Sequence, residues 1–187
     1  MYRDLHNLTL HTIRSHKEIV RFNFLNIFTF GTTHYDKILP IGSFDVESGI
    51  KYERQFYNSA GLSLETLWGS FFVERDTARE QALSKKIQAT GPYIFLHDDE
   101  RFPIDRTKIH STLSILEPKL ELTDNIFDYC DVLERAEEIH VMDSSFMFLV
   151  DCLSYTNPQQ RLFVHRYARE NMEWNLPILK KNWQIIV

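Results

Sequence analysis

The second half of the chain alternates between short apolar runs and longer segments with helical spacing. Four runs have the length and the β-branched or aromatic content of strands, at residues 93–96, 111–116, 139–142 and 161–164. Tyr93-Ile94-Phe95-Leu96 is apolar at every position, as expected for a strand buried on both faces of a parallel sheet. Helical patterns follow at 126–136 and 146–153. The alternation predicts a Rossmann-like α/β fold with a doubly wound, mainly parallel sheet.

Three helices are predicted before the first of these strands. Residues 76–87 begin with the acidic Asp76 and end with Lys85 and Lys86, an order of charges that complements the helix dipole. Gly91-Pro92 then stops the helix. Apolar residues between 52 and 72 recur at helical spacing with Gly61 as an interruption, which predicts two short helices.

The N-terminal part is less regular. Apolar runs at 19–22, 26–30 and 37–41 are broken by glycines and predict short strands. We therefore divide the chain into an irregular segment, 1–45, and a Rossmann-like domain, 46–187.

Composition narrows the classes of partner and compartment. A formal net charge of -5 without any Lys/Arg cluster argues against a nucleic-acid partner. Cys130 and Cys152 are far apart and lie in apolar helical patterns, so we expect reduced thiols. No apolar stretch is long enough to span a bilayer, and the N-terminus lacks the apolar core of a signal peptide. The sequence thus predicts a soluble, cytoplasmic protein without a membrane span.

Polar side chains follow three of the predicted strands. Because the carboxyl ends of parallel strands meet at one edge, where such sheets bind ligands, we expect these groups to converge there. Arg75 and Arg101 stand in loops near the same edge and could bind phosphate, although surface ion pairs are the commoner role of a single Arg. The candidate binding residues are Arg75, His97, Asp98, Arg101, Asp143, Ser144, Ser145 and His165.

Asp143-Ser144-Ser145 is the most informative of these groups. A strand that runs directly into a helix presents free backbone N–H groups and hydroxyls, which suit an anion such as a diphosphate. The alternative is that Asp143 or Ser144 only caps the helix.

His97-Asp98-Asp99-Glu100 could position a sugar or supply a general base, and a solvated acidic loop is the alternative. No spaced D-x-D pattern occurs, so we expect neither a metal nor another cofactor. The chain also lacks a Walker A loop, a G-x-G-x-x-G turn, a G-x-S-x-G elbow and zinc-ligand spacing, which weakens the ATPase, dehydrogenase, hydrolase and metalloprotease interpretations.

At Asp143-Ser144-Ser145-Phe146, together with residues 134–140, the chain resembles the nucleotide-sugar-binding half of GT-B-type glycosyltransferases, such as fucosyltransferase-like and heptosyltransferase-like enzymes. The resemblance covers about residues 50–187. It implies that Ser144 and Ser145 contact the diphosphate of a nucleotide sugar, and that His97 and Asp98 line the donor cleft. It also implies that residues 1–45 are the remnant of an acceptor-side domain.

Two functions are compatible with these observations. The first is a glycosyltransferase-like protein that binds a nucleotide-diphosphate sugar and transfers the sugar to an acceptor such as a glycan without a metal. The second is a non-catalytic ligand-binding or assembly module, which the missing Gly-rich turn of the first Rossmann-like domain favours. Under either, we expect the chain to be a fragment or a degenerate relative, with a second copy or a partner chain as candidates to complete the cleft.

Overall fold

The computed structural model describes residues 50–88, 91–169 and 176–187. The strands predicted in the N-terminal segment, and the boundary drawn there, lie outside these residues.

Three helices precede the sheet, as the sequence predicts: α1 is Tyr52–Ser59, α2 is Thr66–Gly69 and α3 is Thr77–Ile87. Asp76 caps α3, since its Oδ1 atom accepts a hydrogen bond from the backbone N–H of Arg79 at 3.1 Å. The helix ends at Gln88, whose left-handed backbone (φ 51) breaks the helical path before the first strand.

Five parallel strands form the sheet in the order β2-β1-β3-β4-β5. The strands are β1 Tyr93–His97, β2 Ser114–Leu116, β3 Glu138–Val141, β4 Arg161–His165 and β5 Trp183–Ile186. Between them lie the helices α4 Cys130–Arg135 and α5 Ser145–Cys152, and the 3-10 turns Arg106–Lys108, Ile126–Tyr129 and Arg166–Arg169. The α/β class and the parallel sheet are therefore confirmed, and β5 is a strand that the sequence pattern did not predict.

The two faces of the sheet are covered differently. Helices α3, α4 and α5 pack on the face that we call the front, around side chains such as Phe95, Leu133 and Met147. The opposite, back face carries Ile94 and Leu96, which pack against Ile104 of the loop after β1. This β1–β2 loop, residues 98–113, lies on the back because β1 to β2 runs opposite to the other steps, and right-handed crossovers then use the other face.

The strand order creates a crevice. Connections leave β1 and β3 toward opposite faces, so the carboxyl ends of these neighbouring strands are left open between them. This switch point lies beside His97 at the end of β1 and beside Asp143 and Ser144 after β3.

A buried carboxylate ties the start of the C-terminal segment 176–187 to the helices. Asp151, in the last turn of α5, is 2% exposed. Its oxygens accept hydrogen bonds from four N–H groups: the indoles of Trp68 and Trp183, and the backbone amides of Lys180 and Lys181, at 2.9–3.0 Å. The carboxylate therefore joins α5, α2 and the approach to β5.

Both cysteines are free thiols buried in helices α4 and α5. Burial raises the pKa of the Cys130 thiol to about 12 and that of Cys152 to about 11. No helix within the described residues is long and apolar enough to cross a bilayer.

Candidate functional site

Ser144 stands where β3 passes into α5, at the N-cap position with an extended backbone (φ -148, ψ 171). Its hydroxyl is not bonded to an N–H group of the helix. The Oγ atom instead lies 3.1 Å from Nδ1 of His97 at the end of β1. The end of β1 and the start of α5 are thus linked at the switch point by a contact between two side chains.

Asp143 also leaves the start of α5 uncapped. Its Oδ2 atom accepts from the guanidinium of Arg166, which follows β4. Its Oδ1 atom is buried and has no hydrogen-bond partner. The capping alternative for Asp143 and Ser144 therefore has no hydrogen bond to support it among the described residues, and the first N–H groups of α5 keep their capacity to bind an acceptor.

A cavity of about 350 Å³ opens beside this junction. One wall is formed by His97, Asp98 and Ser145, three of the residues singled out in the sequence. Ser145 is exposed in the first turn of α5. The structure thus brings the end of β1 and the start of α5 together around one space.

The other wall comes from the loop after β2, which the sequence reading missed. Lys119 and Asp124 are exposed there, and the buried Tyr129 closes the base. The sequence does contain a signal for this wall of the cavity. Residues 117–125 follow a predicted strand, so in a parallel sheet they must start from the same edge as the other candidate residues. Phe146 belongs to the core on the front face, and its ring also packs 4.5 Å from the ring of His97 and lines the cavity.

Asp98 is engaged by its own loop. Its Oδ2 atom accepts from the backbone N–H of Ile104 at 2.9 Å and lies 3.1 Å from the guanidinium of Arg106. Arg101 is paired with Asp99 at 2.8 Å and is 76% exposed. In this arrangement the carboxylates after β1 shape the β1–β2 loop, and Asp98 also borders the cavity.

The two remaining candidates lie elsewhere. Arg75 bridges α3 and α4 through Glu80 and Glu134, and the bond with Glu80 holds the pKa of its guanidinium above the usual value. His165 is completely buried on the back face, bonded to His140 and Tyr167. The residues that line the cavity include neither of these two, nor Arg101, Asp143 or Ser144, and a role of these five residues in binding a ligand stays a prediction.

Within the described ranges, no three His, Cys, Asp or Glu side chains are grouped so that they could hold a metal ion. The polar groups around the cavity are instead suited to hydrogen bonding: a hydroxyl, an imidazole, an ammonium, carboxylates and the N–H groups of a helix start. Such a set can hold an anion at one end and hydroxyl groups at the other.

Comparisons with protein-family models, with curated proteins and with solved structures found no match to this chain. The described residues form one α/β domain with a five-stranded parallel sheet.

Proposed function

We propose that this chain binds a nucleotide-diphosphate sugar in the crevice between the carboxyl ends of β1 and β3. The observation that carries the proposal is the contact of Ser144 with His97, because it leaves the start of α5 without the side-chain acceptor that an N-cap residue usually supplies. Free N–H groups and the positive end of the helix dipole favour a phosphate at this position. The strand order supports the same place, since open parallel sheets bind ligands at the switch point.

The composition of the cavity suits the rest of such a ligand. Its volume, about 350 Å³, lies at the lower end of the range for small-molecule sites. Lys119 can add a positive charge near the phosphates, and Asp124 can accept hydrogen bonds from sugar hydroxyls. The carboxylates count against a bare phosphate ion filling the whole space, since like charges would face each other. A ligand with one anionic and one hydroxylated part fits this mixture better.

Binding with transfer and binding without transfer are both open under this proposal. Histidine is the side-chain type that exchanges protons near neutral pH, which makes His97 the candidate base for sugar transfer. Binding without transfer is the alternative. The contact of His97 Nδ1 with Ser144 is compatible with both, because the other ring nitrogen, Nε2, would be the atom that takes the proton of an acceptor hydroxyl. Release of nucleoside diphosphate from a bound donor, with and without a glycan acceptor, separates the two.

The sharpest test is Ser145→Asp, because the structural and the binding role of this position then change in opposite directions. A carboxylate in the first turn of α5 complements the helix dipole and should raise the free energy of unfolding by about 0.3 to 1 kcal/mol. The same charge repels a diphosphate and removes a hydroxyl donor, so affinity should fall at least about tenfold. Calorimetric titration with UDP-, GDP- and ADP-sugars, beside urea unfolding, measures both.

Ser63→Asp is the matched control, since Ser63 is an exposed serine that accepts a hydrogen bond in the turn before α2. It should leave affinity unchanged. Binding should also survive EDTA. The proposal is wrong if no nucleotide sugar binds at millimolar concentration, or if Ser145→Asp binds as tightly as the wild type.

A further inference from the structure

Four polar side chains form a continuous chain of hydrogen bonds across the back face of the sheet. Glu138 and His140 are two residues apart on β3, so they lie on the same face of the strand, and His165 is the last residue of the neighbouring strand β4. The three are 2%, 3% and 0% exposed. Glu138 Oε2 lies 3.0 Å from His140 Nε2, His140 Nδ1 lies 2.9 Å from His165 Nε2, and His165 Nδ1 lies 3.0 Å from the hydroxyl of Tyr167.

Both ends of this chain are anchored. Glu138 Oε1 accepts from the hydroxyl of Ser111 at 2.9 Å and from the guanidinium of Arg161. At the other end the Tyr167 oxygen accepts the backbone N–H of Asp105 at 3.0 Å. Ser111 and Asp105 both belong to the β1–β2 loop. This chain of hydrogen bonds therefore connects that loop to β3 and to the turn after β4.

When both imidazoles are neutral, the carboxylate end fixes the direction of every hydrogen bond. A carboxylate only accepts, so His140 donates from Nε2 and its Nδ1 must accept. His165 therefore donates from Nε2 and accepts at Nδ1, where the Tyr167 hydroxyl donates. Each ring is then neutral with its proton on Nε2, and each polar atom in the chain has a partner.

We propose that Glu138, His140, His165 and Tyr167 form an acid-sensitive lock, which fastens the β1–β2 loop to the back face only while both imidazoles are neutral. The lock does not depend on a ligand in the crevice. A second proton weakens the lock, because a doubly protonated His165 donates at both nitrogens. The hydroxyl of Tyr167 then loses His165 as its acceptor, and its oxygen must accept from His165 as well as from the Asp105 amide.

Burial opposes a second proton on either imidazole, and the neighbouring positive charges add to this at His165. Arg106 and Lys108 of the β1–β2 loop face His165, and Lys108 also lies 3.8 Å above the ring of Tyr167. Arg161 faces His140 from β4, whereas Glu138 attracts a proton to it. Asp98 and Asp105 lie near Tyr167. Burial lowers the pKa of His140. Burial, together with the neighbouring His140, lowers the pKa of His165 to about 4.

Proton linkage gives the direction in which stability changes with pH. The pKa of a histidine in the unfolded chain is about 6.5, so between about pH 6.5 and pH 4 the unfolded state binds more protons. The stability that the neutral rings provide is complete above pH 6.5 and is lost as the pH falls toward 4. From pH 7.5 to pH 5, His165 alone should raise the unfolding equilibrium constant about 30-fold.

Nitrogen-detected NMR of the unmodified chain is the first test. Both imidazoles should carry their proton on Nε2 at about pH 7.5, and the Asp105 amide signal should shift as the pH falls through about 4, where His165 gains its second proton in the folded protein. Hydrogen bonds from Thr107 hold the pKa of the Asp105 carboxyl group below its usual value, and the Tyr167→Phe variant separates its titration from that of His165. An Nδ1 proton on either ring, or an Asp105 signal independent of pH, overturns the proposal.

Variants provide the second test. His165→Gln should remove most of the 30-fold increase in the unfolding equilibrium constant between pH 7.5 and pH 5. Tyr167→Phe is the milder substitution, because it removes only a hydroxyl, and it should make the Asp105 amide signal independent of pH. The exposed His110 lies on the same loop, so His110→Gln is the matched control and should behave as the wild type. Acid sensitivity that is unchanged in His165→Gln, or an Asp105 shift that persists in Tyr167→Phe, counts against the lock.

Discussion

The two carboxylates at the ends of α5 are in opposite states. Asp151 in the last turn accepts from four N–H groups and is almost completely buried. Asp143, just before the first turn, pairs with Arg166 and keeps one buried oxygen without a partner. The same helix therefore has a saturated carboxylate at one end, and at the other a carboxylate oxygen without a partner beside N–H groups that no cap side chain accepts from.

This difference separates residues that hold the fold from residues that are free to bind. Buried polar groups are nearly always hydrogen-bonded, so a saturated carboxylate needs no explanation beyond stability. The buried Asp143 oxygen without a partner, beside an uncapped helix start, does need a further explanation. It lies at the switch point, where parallel sheets bind ligands. The comparison predicts that mutations at the two ends affect different measurements.

The largest effect is expected at the saturated end. Asp151→Ala removes the shared acceptor of two indoles and two amides, all in part-buried hydrogen bonds, which should lower the free energy of unfolding by about 3 to 5 kcal/mol. Urea unfolding measures this, with the exposed Glu121→Ala as a control expected within about 0.5 kcal/mol of the wild type. A loss below about 1 kcal/mol would mean that the carboxylate does not hold the C-terminal segment.

Lys181 is an exception at the saturated end and sharpens the comparison. Its buried Nζ atom has no hydrogen-bond partner and lies 3.5 Å above the ring of Tyr155, and burial lowers its pKa to about 8. In the unfolded chain a lysine has a pKa of about 10.4, so the unfolded state holds the extra proton between these values and stability rises with pH across that window. Below pH 8 the charge is present in both states and its burial costs stability.

Lys181→Met should therefore raise the free energy of unfolding at neutral pH by about 1 to 3 kcal/mol and remove the rise between pH 8 and 10. The measured quantity is the difference between variant and wild type, because the two buried thiols titrate in the opposite sense in both proteins. Lys180→Met, an exposed neighbour, should show neither change. A variant that is less stable than the wild type at neutral pH would show that the ammonium is well compensated.

Much of the fold could be predicted because local pattern and tertiary structure agree. The apolar run of β1 and the charge order of α3 each specify one kind of element. Strand β5 was missed for a physical reason: Trp183–Ile186 is a four-residue edge strand with Gln184 and Ile185 exposed, so only its pairing with β4 makes it a strand. Propensity alone does not decide such a segment.

The candidate site could be predicted in part. Strand polarity alone places His97 and Ser144 at one edge of the sheet, as the sequence pattern predicts, whereas their proximity also requires β1 and β3 to be neighbours, which only the structure shows. That Ser144 turns to His97 instead of capping α5 depends on a side-chain rotamer, which the sequence does not specify. The alignment of His140 with His165 depends in the same way on the register of β3 against β4.

The smallest expected effect tests that contact at the unsaturated end. If Ser144 is bonded to His97, a double-mutant cycle of Ser144→Ala and His97→Ala should show a coupling of about 0.5 to 1 kcal/mol in the free energy of unfolding. If Ser144 only caps α5, its substitution should cost about 0.5 to 2 kcal/mol whether or not His97 is present. Asp76→Ala is the control, since Asp76 is a bonded cap on α3, and its cost should be the same in both backgrounds. Additivity of the Ser144 and His97 variants within about 0.3 kcal/mol would restore the capping role and remove the main support for a phosphate at this helix start.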